Sequence, residues 1–199
     1  MRPRRRLTPD QRRSELLDVG ARLFATRPYD EVLMEDIAEL AGASRANLYR
    51  YFASKRDLFA AIYQRAADEL LAVVELDPAG PMVEQVSAGL DAHIDYFVAN
   101  RQTVLTANRV LSGDPTIQAI ISDELGQLRQ RMLDASGLDG LRREVASAAL
   151  HAWLAFVRAI CVEWLANETF SRIELREVCL GALQGALSSA EGAVQRHQS

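Results

Sequence analysis

Apolar residues recur along this chain at three- and four-residue spacing, in runs separated by capping residues. Leu16, Leu17, Gly20, Leu23 and Phe24 follow Thr8-Pro9-Asp10-Gln11. There a threonine N-cap, a proline at the first helical position and a glutamine that can close a capping box mark a helix start. Pro28 stops the run. Two short helices are predicted at about 34–41 and 45–51, with Gly42-Ala43-Ser44 between them, and a fourth at about 55–76. Pro78, Gly80 and Pro81 then break the composition. Beyond them the pattern predicts helices near 82–99, 101–111, 115–135, 141–166 and 172–195. Asp114-Pro115 supplies one cap, Ser171 with Glu174 a capping box, and Gly137, Asp139 and Gly140 a break. Strand signals are scarce. The chain is predicted to be all-α with about nine helices.

The segment from Met34 to Phe52 has the logic of a helix-turn-helix. Ile37, Ala38 and Ala41 give the first short helix an apolar face, Gly42 suits a left-handed stop, and Ser44 can cap the next helix. Ala38 is small where the two helices cross, and Leu48 anchors the second. Its exposed face is then free to enter a major groove.

The continuation Leu48-Tyr49-Arg50-Tyr51-Phe52-Ala53-Ser54-Lys55-Arg56-Asp57-Leu58-Phe59 resembles the TetR family of bacterial transcriptional regulators. The similarity runs from about Gln11 to Tyr63 and takes in Leu23-Phe24, Tyr29-Asp30, Asp36-Ile37-Ala38 and Ala41-Gly42-Ala43-Ser44. The rest of the chain matches only in length and helical character. The resemblance implies a DNA-binding head at 1–54 and a helical effector-binding and dimerisation body at 55–199. Two positions depart from the family pattern. Pro28 stands where a glycine often ends the first helix, and Leu33 where a threonine usually caps the second and reaches a phosphate.

Chemistry and resemblance together assign roles in the head. Arg45, Ala46 and Asn47 open the recognition helix. There an arginine can chelate guanine and an asparagine can pair with adenine. Ser44, Tyr49, Tyr51 and Lys55 are expected to position the DNA backbone, and Arg50 to do either. Tyr49 and Tyr51 also have an alternative role packing the small core. Arg4, Arg5 and Arg6, with Arg2, form a basic arm that either enters a minor groove or stays solvated.

Charge agrees with this division. The net charge is −4, yet residues 1–60 carry 12 Lys/Arg against 9 Asp/Glu, leaving the remainder at −7. A basic head on an acidic body restricts a polyanionic partner to the head. Nothing at the N-terminus resembles a signal peptide, so a cytoplasmic protein with no membrane association is expected. The window 145–165 has 17 apolar residues in 21. It also contains His151, Arg158 and Glu163, which suits a buried helix better than a membrane span.

That helix is apolar nearly all round and must be covered on several sides. The last helix carries the small residues Gly181, Ala182, Gly185, Ala186 and Ser189. The two helices are expected to form a four-helix interface in a homodimer, which would read two half-sites of a palindromic operator. The resemblance further implies a pocket for a small lipophilic effector within 82–166. Candidate apolar walls are Phe97, Leu105, Leu111, Leu125, Leu128 and Leu154, and candidate polar groups are His93, Tyr96, Asn108, His151 and Arg158. Ordinary core packing is the competing role for each apolar residue and for His93. His151 and Arg158 are expected to share a face, with the arginine meeting either an internal carboxylate or an anionic ligand. Effector binding is expected to shift the helix at 55–76, and repression is favoured over activation.

An enzyme is the rival class. The sequence holds three histidines, His93, His151 and His197, and lacks H-E-x-x-H, P-loop, G-x-S-x-G and dinucleotide G-x-G-x-x-G patterns. Cys161 lies between Ile160 and Val162, which reads as a buried, inert thiol. No cofactor or metal is expected, and an adaptor dimer using the head for protein contacts is a third possibility.

Overall fold

Residues 7–72, 74 and 76–197 are described by a computed structural model, with side chains of the last helix followed through Ser188. The expected basic arm, Arg4 to Arg6, and the Ser189 side chain lie outside the described residues. Among the described residues all regular structure is helical: α1 (Pro9–Thr26), α2 (Met34–Leu40), α3 (Arg45–Tyr51), α4 (Lys55–Ala72), α5 (Met82–Ala99), α6 (Arg101–Leu105), α7 (Pro115–Ser136), α8 (Gly140–Asn167) and α9 (Arg172–His197). A 3-10 turn at Tyr29–Glu31 joins α1 to α2, and a π-helical turn at Thr106–Val110 follows α6.

Helix starts follow the local signals. Thr8 and Gln11 close a reciprocal capping box, and the Ser44 hydroxyl accepts from the Asn47 N–H at 3.2 Å. Asp114 caps α7 and Ser171 with Glu174 caps α9. Pro28 holds Arg27 in an extended conformation, which ends α1 without a glycine. Gly42, at φ 57°, turns the chain between α2 and α3. Leu33 gives α2 no side-chain cap, as its lack of a hydroxyl requires.

Two expected helices end early. α4 stops at Ala72 instead of about 76, and Arg131 on α7 takes the carbonyls of Leu71 and Val74. The stretch 101–111 divides into α6 and the wider π turn, so that Thr103, Val104, Thr106 and Ala107 are all buried.

The chain resolves into two compact units, residues through Ala66 with Asn100–Ile117, and Ala67–Ala99 with Gln118 onward. Compactness thus groups most of α4, α6 and the π turn with the head, a different division from the boundary expected at 54/55. In the first unit α1 packs on α2 and α6. Its centre is aromatic: Phe24 meets Phe59 edge-on at 5.1 Å and Tyr29 at 5.7 Å, and Tyr63 stacks on Phe59. Such pairs add about 0.5–1.5 kcal/mol each beyond area burial. Leu16, Ile37 and Leu48 complete the core and fix the helix-turn-helix crossing.

In the second unit the largest contact is α8 against α9. α8 is long and apolar enough to cross a bilayer by length and composition. Its apolar residues, however, include core groups: Leu150, Trp153, Val157, Cys161 and Leu165 are buried. The Trp153 indole N–H donates to the Cys179 carbonyl at 2.8 Å. The free Cys161 thiol, hydrogen-bonded to the Cys179 thiol and buried, is held well above the ordinary thiol range, which makes it inert.

Candidate DNA interface and effector cleft

The N-terminal end of α3 presents Ser44, Arg45 and Ala46 to solvent, followed by exposed Tyr49 and Arg50 and half-buried Asn47 and Tyr51. These residues interact with one another. The Asn47 side-chain oxygen Oδ1 accepts from Arg50 at 2.8 Å, and the Arg50 guanidinium lies over the Tyr51 ring. Arg45 lies over Tyr49 and pairs with Glu35 of α2 at 3.1 Å, with 68% of its side chain exposed. An exposed pair of this kind is worth roughly 0–1 kcal/mol, so the guanidinium can exchange it for a base edge at little cost. Glu35 was missed by reading the sequence. A carboxylate ten residues before an arginine is an ordinary solvated charge until the turn brings the two together.

Lys55 sits differently from the expected phosphate contact. Its ammonium donates to the carbonyls of Tyr29 at 2.8 Å and Val32 at 3.0 Å, and lies 4.4 Å from the centre of the Tyr29 ring. It ties the start of α4 to the loop before α2. Arg12 does similar work unremarked in the sequence, donating to the Ala41 carbonyl at the end of α2. Acidic residues occupy the first turn of α2, but Asp36 is paired with Arg27 at 3.2 Å and Glu35 with Arg45.

Within the second unit a cleft of about 830 Å³, part of it open to solvent, lies between α4, α5, α7 and α8. Of the residues expected to line a pocket, His93, Leu125, Leu128, Leu154 and Arg158 do so. Tyr96 and Phe97 belong to the same unit but not to this lining; Phe97 is buried beside His93. Leu105, Asn108 and Leu111 belong to the first unit, because the 101–111 stretch packs its apolar side with the head. His151 is exposed while Arg158 is buried, so the two do not share an environment. A seven-residue spacing is close to two turns but does not ensure equal burial on a helix covered unevenly. The additional walls are Leu70, Val86, Leu90, Met132, Trp153 and Val157.

Two buried charges face one another there. Arg158 lies 3.3 Å from Glu124, with side-chain exposures of 7% and 4%. Burial raises the Glu124 carboxyl above its usual range, with Arg158 opposing that rise. His93, also beside Arg158, is pushed down to about 3 by burial and then by that charge, leaving a neutral imidazole. Among the described residues no group of three or more His, Cys, Asp or Glu could hold a metal ion.

The outer faces of α8 and α9 carry exposed apolar residues, among them Phe156, Ile173 and Val178. Gly181 and Gly185 are exposed, with nothing within 4 Å of an added Cβ, and Ala182 and Ala186 are half-buried.

A capped, solvent-facing recognition helix on a small three-helix core, followed by a helical body, defines a helix-turn-helix DNA-binding regulator. Residues 16–62 match the family described as bacterial regulatory proteins, tetR family, which makes the head of this chain a TetR-family DNA-binding domain. It is 33% identical over 99 residues to the transcriptional activator FasR of Mycolicibacterium smegmatis, covering 49% of this chain and 45% of that one. It is 31% identical over 143 residues to the transcriptional repressor KstR2 of Rhodococcus jostii, covering 71% and 64%. The chain thus spans about half to two thirds of these relatives. A crystal structure of a tetR-family regulator from Streptomyces coelicolor superposes with a TM-score of 0.81 at 22% identity, covering 94% of this chain and 85% of that one.

Proposed function

We propose that this chain is a ligand-responsive repressor whose homodimer holds a palindromic operator and releases it when a small lipophilic effector occupies the cleft. The observation that carries the DNA reading is the exposed face of α3, with Arg45 aimed outward beside a capping Ser44. In this reading Arg45 and Asn47 meet base edges, Ala46 allows close approach, and Ser44, Tyr49, Arg50 and Tyr51 contact the backbone. The functional boundary falls at 54/55. The effector acts through its affinity difference between DNA-competent and DNA-incompetent states, since equal affinity for both would shift nothing.

Gly181, Ala182, Gly185 and Ala186 supply the small surface through which α8 and α9 would meet their copies in a second subunit, where no cofactor is required. Relatives at similar identity include a named activator and a named repressor, so the sign of control rests on a promoter assay. Such a protein works where the chromosome is, in the bacterial cytoplasm.

Titrating a selected palindromic duplex and a scrambled duplex at several salt concentrations tests the reading. The expected result is tighter binding to the palindrome and a steep loss of affinity with salt, as released counterions dictate. Equal binding to both duplexes at every salt would overturn it.

A further inference from the structure

The cleft in the second unit has apolar walls from Leu70, Val86, Leu128, Trp153 and Val157, and four polar side chains in its lining. Three of them are engaged. Gln85 accepts from the Asp77 backbone N–H and donates to the Asp77 carbonyl at 2.9 Å. Arg158 and Glu124 hold each other at 3.3 Å. The fourth is His93. Its Nε2 is buried with no hydrogen-bond partner, a condition shared by no other buried side-chain nitrogen or oxygen among the described residues. Its ring lies against Phe97, with centroids 4.0 Å apart.

We infer that the cleft takes an uncharged, largely hydrocarbon ligand bearing one hydroxyl or carbonyl oxygen, which meets His93 Nε2. The inference rests on the cleft being the effector site. A carboxylate ligand would bring a second negative charge beside Glu124, and the nearby cation is already matched. An ammonium ligand would meet the mirror problem, with Arg158 adjacent and the carboxylate engaged. Moving either ion out of water without a fresh counter-charge is costly. A neutral oxygen avoids that cost. It can accept from the imidazole if Nε2 carries the proton, or donate to Nε2 if Nδ1 does. The ligand then satisfies a buried group that the folded chain leaves unsatisfied, which converts one polar atom into specificity.

Calorimetric titration of the full chain with 1-decanol, 2-decanone, decanoate and decyltrimethylammonium tests this, with Trp153 fluorescence as a second readout of occupancy. The alcohol and ketone are expected to bind at least tenfold more tightly than either ion. His93→Phe, which keeps a ring against Phe97, is expected to lose at least tenfold in affinity for the alcohol. His93→Gln, which retains a donor and an acceptor, should recover most of that loss. Decanoate or the ammonium binding as well as the alcohol overturns the ligand class while leaving the cleft as a binding site, and so does unchanged alcohol affinity in His93→Phe. Binding of none of the four overturns the class and the effector-site reading together. If His93→Phe proves unstable, the comparison of charged and neutral probes on the unaltered protein still decides.

Discussion

Arg158 on α8 and Glu124 on α7 form an ion pair almost sealed from water, 34 residues apart in sequence and 3.3 Å apart in space. Removing one member strands the other. Arg158→Met is therefore expected to lower stability by about 3–5 kcal/mol, while Arg158→Met with Glu124→Gln recovers much of that loss. Denaturant melts of the two variants check it. Because burial already raises the Glu124 carboxyl, the single variant should suffer less as the solution is acidified and the stranded group takes up a proton. A single variant as stable as the parent at neutral pH would remove the pair from the stability of the body.

His93 should make the body acid-sensitive. Its folded value of about 3 lies below the ordinary 6.5, so the unfolded chain binds the proton first as pH falls. The stability it contributes is complete above about 6.5 and is lost progressively down to about 3, a swing of at most about 5 kcal/mol. Glu124 has the opposite sign, since its folded value is raised, so the test is a difference. His93→Phe should lose less stability than the parent between these limits. Parallel stability curves would show the imidazole titrating as freely in the fold as out of it.

Arg45→Ala should cost roughly 1–3 kcal/mol against the best operator and relax base preference at one position in each half-site. Binding to a panel of single-base operator variants measures this. Uniform weakening with preference intact would assign Arg45 to the phosphate backbone.

Lys55→Met is expected to act on the fold of the head before it acts on DNA. Two carbonyls lose a charged donor, worth about 1.5–3 kcal/mol each at most and less where water can replace it. Thermal melts should fall even in the absence of DNA. An unchanged melt with a reduced salt slope of binding would instead restore the phosphate role.

Gly185→Leu isolates the interface. Nothing lies within 4 Å of an added Cβ, so the subunit itself has room for the side chain, whereas a second helix packed there would be pushed away at about 1–3 kcal/mol. Unchanged helicity with a shift toward monomer in sedimentation is the expected result. A dimer that persists at low micromolar concentration would move the interface off this face.

The head was legible because its determinants are local. Thr8, Gly42 and Ser44 each act within four residues of themselves, and the structure places every one in its expected role. The body was legible as helices but not as a site. Leu70, Val86 and Val157 line a cleft while Leu16 and Leu165 fill cores, and the sequence pattern of the two groups is the same. Periodicity tells which side of a helix is apolar and is silent about what that side meets. For this reason Leu105, Asn108 and Leu111 were assigned to the pocket when they belong with the head, and Glu124 went unnoticed. Arg158, within the apolar stretch 145–165, was the one trace of its partner.

Lys55 has a consequence for how a message could leave the body. By gripping the carbonyls of Tyr29 and Val32, it fastens the root of α4 to the strap between α1 and α2. A head built this way would travel as one solid piece. In the proposed dimer the recognition helices would keep their contact surfaces whatever the effector does, and the variable would be the gauge between them, read by half-sites spaced about 34–36 Å apart. The operator would then serve as a ruler.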